Sequence, residues 1–362
     1  MTASYELRLF AADGTPKARI TDFGPLSCVS KVNNAGMLST TLRGDHPAIA
    51  FLEHKSHVEL WRSDADNGIA PYCYWGGLYL KQEWQTPDTV KFNLTAPGYL
   101  WLLTKRYIGY YAGTANQTEF TNQPAETIMK ALVNNNAGPA ATVANGRVRN
   151  GVISGLSIQT DGGAGNSLDW FCAYKPLLEN LQDLALIAGG DFDLVKTGSD
   201  TFEFRWYIGQ LGTNRVASVV FSMGKANMAE PDYIYDRIAE KTVAIVGGQG
   251  VENARTIAIR TGPDYVSDND NEIFVPATNA DTADGYNSAG DKKLQETRAV
   301  KEFTFKVLQV PSCLYGRDYF LGDKCTAINP YTGANVTVKI SGATLKLDQD
   351  GIETIDLTLE NV

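Results

Sequence analysis

Short segments in which apolar and polar residues alternate recur along most of the 362-residue chain, and they limit the folds open to it. An alternation with period two places every second side chain on the same face, which is typical of a half-buried β-strand. The clearest cases are residues 5–10, 57–61, 89–95, 201–207 and 353–359. The pattern predicts a mainly β protein.

Three segments favour a helix, and each begins at or directly after a proline. Proline suits the start of a helix because its φ is fixed and its missing N–H would have no partner there. We predict a short helix from Pro47, a helix over residues 125–133 after Pro124, and a helix over residues 177–188 after Pro176. These helices indicate small α+β insertions in a β-rich chain.

The same patterns divide the chain into four regions. Residues 1–105 are mostly strands around one short helix and predict a small barrel or sandwich. Residues 106–195 contain two helices and predict an α+β domain. Residues 196–261 and 300–362 return to strands, and the acidic residues 262–299 interrupt them as an inserted loop or small domain. A helix is expected to pass into a strand within residues 294–310.

Composition excludes several classes of protein. The 41 acidic and 32 basic residues give a net charge of −9, which argues against stable binding to nucleic acid, since that requires an excess of cations. We expect neither a signal peptide nor a membrane segment, because no apolar run is long enough to cross a bilayer. No disulfide framework or metal site is indicated by the widely spaced cysteines, which are Cys28, Cys73, Cys172, Cys313 and Cys325.

A glycine cluster, residues 247–250, follows an apolar segment and poses the question of a nucleotide site. A phosphate-binding loop leads into a helix, whose N-terminal N–H groups contact the phosphate. Here residues 255–260 alternate like a strand, and Asn253 occupies the place of the third glycine in the dinucleotide pattern. The stretch therefore predicts a strand, a glycine turn and a second strand, with no cofactor.

The three histidines of the chain, His46, His54 and His57, lie close together in sequence and pose the question of a metal site. No zinc-binding pattern surrounds them, and His46 precedes a helix-starting proline, which is a capping position. We therefore predict no metal ligand among them. Serine-protease-like catalysis is also not indicated, because the chain has no Gly-x-Ser-x-Gly motif.

An acidic run partly resembles a calcium-binding loop, and its members are Asp264, Asp268, Asp270 and Glu272. The run lacks the glycine after the third ligand and the terminal bidentate Glu of such loops. A solvated loop is the favoured interpretation, and calcium binding stays open as the alternative. No catalytic, cofactor-binding or metal-binding residue is predicted, and we do not expect an enzyme.

Several motifs occur in an order that resembles one protein family. They are residues 38–42, a small His-Pro helix over 45–52, a strand over 58–62, a Gly-Tyr element over 98–106, the helix over 124–133, the stretch 246–250 with Arg255, and Leu321 to Lys324 before the closing strands. In this order the chain resembles the tail-tip (baseplate) hub proteins of long-tailed, siphovirus-type bacteriophages.

The resemblance implies a non-enzymatic virion protein at the tail tip, made in the host bacterial cytoplasm. It implies a homotrimer in which each subunit contributes two tube-like β-barrels, residues 1–105 and the discontinuous 196–261 with 300–362. The implied partners are a distal tail protein, the tape-measure protein and a tail fibre or spike protein. Phage DNA would pass transiently through a lumen whose acidic charge repels it. Because the chain ends at Val362, receptor binding and cell-wall lysis are expected of other proteins.

Two alternatives stay open at this point. A distal tail protein or tail-tube protein would share the β-rich pattern but would form a hexamer. A carbohydrate-active or glycan-binding phage protein is a second alternative, because the 41 acidic residues offer many carboxylate pairs. For the glycine cluster we expect a tight turn where subunits meet, so that Gly248→Val would impair ring assembly more than folding.

Overall fold

The computed structural model describes residues 3–86, 90–110, 117–250, 252–278, 280 and 282–362. These residues form mainly strands with a few helices, as the alternating pattern predicts. Among the residues described, no helix is both long and apolar enough to cross a membrane.

The N-terminal region is made of strands and one short helical segment. The strands are β1 (Ser4–Phe10), β2 (Pro16–Ile20), β3 (Leu26–Lys31), β4 (Met37–Arg43), β5 (His57–Asp64), β6 (Ile69–Leu78), β7 (Lys81–Gln85) and β8 (Lys91–Pro97). The helix predicted from Pro47 is present as a 3-10 helix, Pro47–Phe51. Its first turn is capped by His46, whose Nδ1 accepts a hydrogen bond from the Ala48 N–H at 3.2 Å.

The middle region contains the two longer helices that the sequence predicts. Its elements are α1 (Trp101–Thr104), β9 (Thr118–Pro124), α2 (Ala125–Asn136), β10 (Leu156–Ile158), β11 (Ser167–Cys172), α3 (Leu177–Ala188), β12 (Gly190–Lys196) and β13 (Phe202–Ile208). Helix α3 ends at Gly189, which adopts a left-handed φ of 72° that suits glycine. The expected hairpin is confirmed, since β12 and β13 pair antiparallel.

The C-terminal region returns to strands around one more helix. Its elements are β14 (Val220–Phe221), β15 (Met228–Asp236), β16 (Val243–Gly247), β17 (Ile257–Thr261), β18 (Glu272–Pro276), α4 (Ala283–Glu296), β19 (Val300–Val307), β20 (Lys324–Ile328), β21 (Asn335–Leu347) and β22 (Glu353–Asn361). The change from helix to strand expected within residues 294–310 falls between Glu296 and Val300.

Two sheets enclose the largest core. One has the order β2-β1-β5-β6, and the other has the order β14-β20-β21-β3-β4-β8-β7, with β22 also paired to β21. The long strand β21 joins the two ends of the chain, because its Leu345 lies opposite Cys28 of β3. Leu7, Leu60 and Phe92 are fully buried in the core between these sheets.

Two further cores lie outside this pair of sheets. The middle region packs α2 and α3 against β12 and β13 around Ile128, Leu181 and Phe204. A small α/β unit, residues 243–296, packs α4 on the sheet β17-β16-β18 around Val246 and Tyr286. A two-stranded ribbon of β15 and β19 leads into this unit and out of it.

The sheets associate strands from different regions of the sequence. Strands β20, β21 and β22 pair within the same sheet as β3, β4, β7 and β8 of the N-terminal region. Strand β16, which precedes residue 262, pairs with β17 on one side and on the other with β18, which follows residue 262. The division into domains at residues 105, 195, 261 and 299 stays a prediction.

Candidate functional site

The three histidines do not converge. His46 is buried, and its Nε2 lies 3.1 Å from Asp22 Oδ1. His57 is fully buried on β5, stacks on Phe202, and has its pKa lowered mainly by burial. His54 is exposed. The described part of the chain contains no group of three His, Cys, Asp or Glu residues that could hold a metal ion.

The acidic run forms an exposed loop between β17 and β18. Asp264 accepts a hydrogen bond from Arg298 Nε at 2.9 Å. The run also contains Asp268, Asp270 and Glu272. In the part of the chain that the structure describes, these three carboxylates make no ion pair. The loop is therefore a patch of negative charge on the surface.

The glycine cluster links two antiparallel strands, as predicted. Val246 of β16 lies opposite Ala258 of β17, and the Gly248 N–H donates to Thr256 O at 2.8 Å. Gly250 has φ of 97°, a left-handed conformation that favours glycine. A single 3-10 turn, Glu252–Ala254, precedes β17, and no α-helix follows the cluster before that strand in the described part of the chain. This geometry supports a turn and gives a phosphate group no α-helix N-terminus to bind.

Gly248 is required by packing within the chain. A Cβ atom at this position would lie 2.4 Å from the ring of Tyr286, which belongs to α4 and is buried. The close approach is therefore inside the small α/β unit. This contact does not agree with the expectation that Gly248→Val would impair ring assembly more than folding, because the added side chain would clash within the folded subunit.

Helix α4 covers one face of the sheet β17-β16-β18 and leaves the other face open. We call this second face the open sheet face, and its apolar residues are Ile245, Ile257, Ile259 and Phe274. Ile245 pairs in register with both Ile259 and Phe274, so that the three side chains form one row. About half of the Ile259 and Phe274 surfaces are exposed, at 58% and 50%. An apolar row of this kind is typical of an interaction surface.

Polar contacts hold the small α/β unit against the middle region. Asn287 Nδ2 of α4 donates to Asp169 Oδ2 at 3.1 Å, and Ser288 Oγ donates to the Asp169 carbonyl. Lys292 Nζ forms an ion pair with Asp183 of α3 at 2.6 Å. Since the cores on the two sides stay separate, these contacts carry much of the docking.

A buried ion pair holds the middle region to the large sheet. Lys339 Nζ on β21 lies 2.7 Å from Asp191 Oδ1 on β12, and both side chains are nearly inaccessible. Asp191 also accepts hydrogen bonds from Asn33 Nδ2 at 3.0 Å and from the Leu211 N–H at 2.7 Å. A carboxylate satisfied in this way fixes the relative position of the elements it joins.

A second buried charge joins the first strands to the last. Arg62 of β5 donates from Nε and Nη2 to the two carboxylate oxygens of Glu353 on β22, at 2.8 and 2.9 Å. Burial opposes the charge on Arg62, but the hydrogen bonds with Glu353, together with the electrostatic interactions with Tyr5, Glu353 and Tyr72, outweigh it and raise the pKa of Arg62. The Tyr5 hydroxyl donates to the same carboxylate.

The thiols offer no reactive nucleophile in the buried part of the fold. Cys172 and Cys325 are fully buried, and burial raises the pKa of each thiol to about 12. A thiol with such a pKa stays protonated at neutral pH and is a poor nucleophile. The contacts described here thus define charge, packing and surfaces, and we find no catalytic arrangement among them.

Three solved structures of tail proteins share this fold over nearly their whole length. Prophage tail protein gp18 from Listeria monocytogenes EGD-e has a TM-score of 0.56 at 12% identity, covering 98% of this chain and 94% of its own. A tail protein from Neisseria meningitidis MC58 has a TM-score of 0.55 at 11% identity, covering 98% and 96%. The 43 kDa tail protein of prophage MuSo2 from Shewanella oneidensis has the same score and identity, covering 98% and 97%. The fold is that of phage tail proteins.

The family follows from the sequence. The chain matches over residues 6–359 and belongs to the family of Siphovirus ReqiPepy6 Gp37-like proteins. This confirms the predicted resemblance to siphovirus tail proteins at the level of family and fold. No curated protein matches the sequence. The chain is therefore a phage tail-type structural protein.

Sequence reasoning missed the surfaces that the fold creates. The strand predicted over residues 255–260 is present as β17, Ile257–Thr261, but which of its faces stays uncovered depends on where α4 packs. The alternation itself was the available signal, because Ile257 and Ile259 lie on the same side of such a strand. The charged partners of Asp191 and Arg62, which are Lys339 and Glu353, lie more than a hundred residues away in the sequence and leave no local pattern.

Proposed function

We propose that this protein is the hub of the phage tail tip, where a ring of three copies closes the distal end of the tail tube. The observation that supports this most directly is the agreement of fold with three tail proteins over 98% of the chain. The family match over residues 6–359 also supports the proposal, because it covers nearly the whole chain and the family is a siphovirus one.

In this proposal each subunit presents two tube-like β-barrels, one from residues 1–105 and one from residues 196–261 with 300–362. Strand β21 pairs with β3, so that backbone hydrogen bonds connect the two regions. A connection of this kind would hold the two barrels at a fixed spacing. Three subunits would then present six barrels to the six-fold ring of the tail.

The proposed partners are a distal tail protein above the ring, the end of the tape-measure protein, and a fibre or spike protein below. DNA would pass through the open ring without binding stably, because the net charge of −9 repels phosphate. The protein would act without catalysis as a component of the virion, after synthesis in the cytoplasm of the host.

The number of copies in the assembled ring tests the proposal. Native mass spectrometry of the purified protein should give a species of three chains of 39.4 kDa each. A six-copy ring would instead indicate a distal tail or tail-tube protein. Antibody labelling of intact virions in the electron microscope should mark the distal tip, and labelling along the tube would exclude the hub.

A further inference from the structure

A cluster of cations stands out on this acidic protein. We call it the basic patch, and its members are Lys55, Lys105, Arg106 and Arg149. Within the described ranges of the chain none of them forms an ion pair with a carboxylate, and Arg106 donates only to backbone carbonyls. Lys105 and Arg106 are consecutive, and Arg106 Nε donates to the carbonyl of Gly151, which brings Arg106 close to the Arg149 segment. In agreement with this, burial and the neighbouring cations Lys55 and Arg106 lower the pKa of Lys105, and burial and Arg149 lower that of Arg106. The patch therefore repels itself and would gain from an anionic partner.

Exposed apolar side chains lie close to members of the basic patch in the sequence. Tyr107 is 58% exposed, and Val143 and Val148 are exposed to a similar extent. Val148 donates its N–H to Gly109 O at 2.9 Å, which holds the valine beside the Tyr107 segment. Cations next to exposed apolar and aromatic groups are typical of a protein interface, where Arg and Tyr are enriched.

The chain also carries the complementary surface. The acidic loop, residues 264–272, exposes the unpaired carboxylates of Asp268, Asp270 and Glu272 and the side chains of Tyr265 and Val266. It leads directly into β18, whose Phe274 belongs to the open sheet face. The acidic loop thus combines charged and apolar surface as the basic patch does, but its charge is negative.

The two surfaces lie toward opposite ends of strand β18, and the basic patch itself is outside the small α/β unit. Tyr107 pairs with Pro176, and the adjacent Lys175 lines a cavity of about 610 Å³ together with Pro276, the last residue of β18. The acidic loop lies at the other end of β18, whose first residue, Glu272, is also the last residue of the loop. A strand of five residues is about 16 Å long. Contact between these surfaces on two copies would therefore be head to tail, which closes into a ring when the rotation allows.

We propose that the basic patch of one subunit binds the acidic loop of the next subunit in the ring. This inference rests on the proposed ring and names the surfaces that form it. Opposite charges would steer the two copies together and fix their register, and the exposed tyrosines and valines would supply the apolar contact. Because exposed charges are screened by salt, the ring should form more slowly at high ionic strength.

Charge reversal on each side tests the contact. Lys105→Glu with Arg149→Glu, or Asp268→Lys with Asp270→Lys, should each lower the association constant of the ring about a hundredfold or more, because like charges then face each other. Combining all four changes should restore the ring. The matched control is Lys17→Glu with Lys91→Glu, two exposed cations outside both surfaces, which should assemble like the unaltered protein.

Sedimentation velocity over a concentration series measures these constants, and circular dichroism checks that each variant is folded. A ring that persists in either charge-reversed pair, or that the fourfold variant fails to restore, would overturn the inference while leaving the hub proposal intact. Failure of the unaltered chain to form any ring would overturn both. If the patch variants keep the ring but lose binding to a polyphosphate probe, the patch serves a polyanion instead.

Discussion

Neighbouring glycines in one turn are needed for different physical reasons. Gly250 supplies a left-handed φ of 97°, which the sequence pattern of a turn anticipates. Gly248 makes room for the ring of Tyr286, which lies 38 residues further along the chain. The first requirement is local and can be inferred from the sequence, whereas the second depends on where α4 packs.

The packing at Gly248 makes a prediction about stability. In Gly248→Ala the added Cβ must displace the buried Tyr286 ring, and overpacking of this kind costs about 1–3 kcal/mol. Chemical denaturation should show this loss. The control is Gly262→Ala in the same unit, whose Cβ would meet its nearest atoms at 3.7 Å or more. Unchanged stability combined with loss of the ring would instead support the earlier hypothesis that the glycine acts between subunits.

Among the helices and strands, those whose residues alone determine the local backbone conformation could be predicted from the sequence. The helices over 125–133 and 177–188 and the hairpin of β12 and β13 are confirmed, because proline starts, a glycine stop and alternation are all local. The segment from Pro47 forms only a 3-10 helix, since Leu52 is already extended. Helix α4 was not recognised as a separate element because small residues dominate its contact with the sheet, and its composition is polar.

The polar docking of α4 predicts a local effect on stability. Asp169→Ala removes the acceptor of the Asn287 amide, which should loosen α4 and increase its amide hydrogen exchange several-fold. The strands of the large sheet should keep their protection. Asp161→Ala is the matched control, because Asp161 accepts hydrogen bonds from Thr127 and Gly163 within the middle region and does not contact α4. Equal exchange in the two variants would contradict the docking role.

On the scale of the whole molecule, the two ends of the chain share one core. Strands β1 and β5 face strands β21 and β22 across buried side chains, and the Arg62–Glu353 contact spans 291 positions of sequence. The basic patch is likewise assembled from distant segments on a chain whose net charge is −9. Composition gives the total charge, but only the fold determines which cations become neighbours.

Removing the partner of the buried Arg62 charge tests whether the two ends of the chain unfold together. Glu353→Ala leaves the Arg62 guanidinium, whose side chain is 4% exposed, without its counter-ion, which should cost about 3–5 kcal/mol. The exposed pair Lys346–Asp356 provides the control, since Asp356→Ala should cost less than about 1 kcal/mol. Arg62→Met combined with Glu353→Leu should recover part of the loss, because no unpaired charge then remains buried. If Glu353→Ala unfolds the β22 segment alone and leaves the midpoint of the remaining sheet unchanged, the ends of the chain are not one cooperative unit.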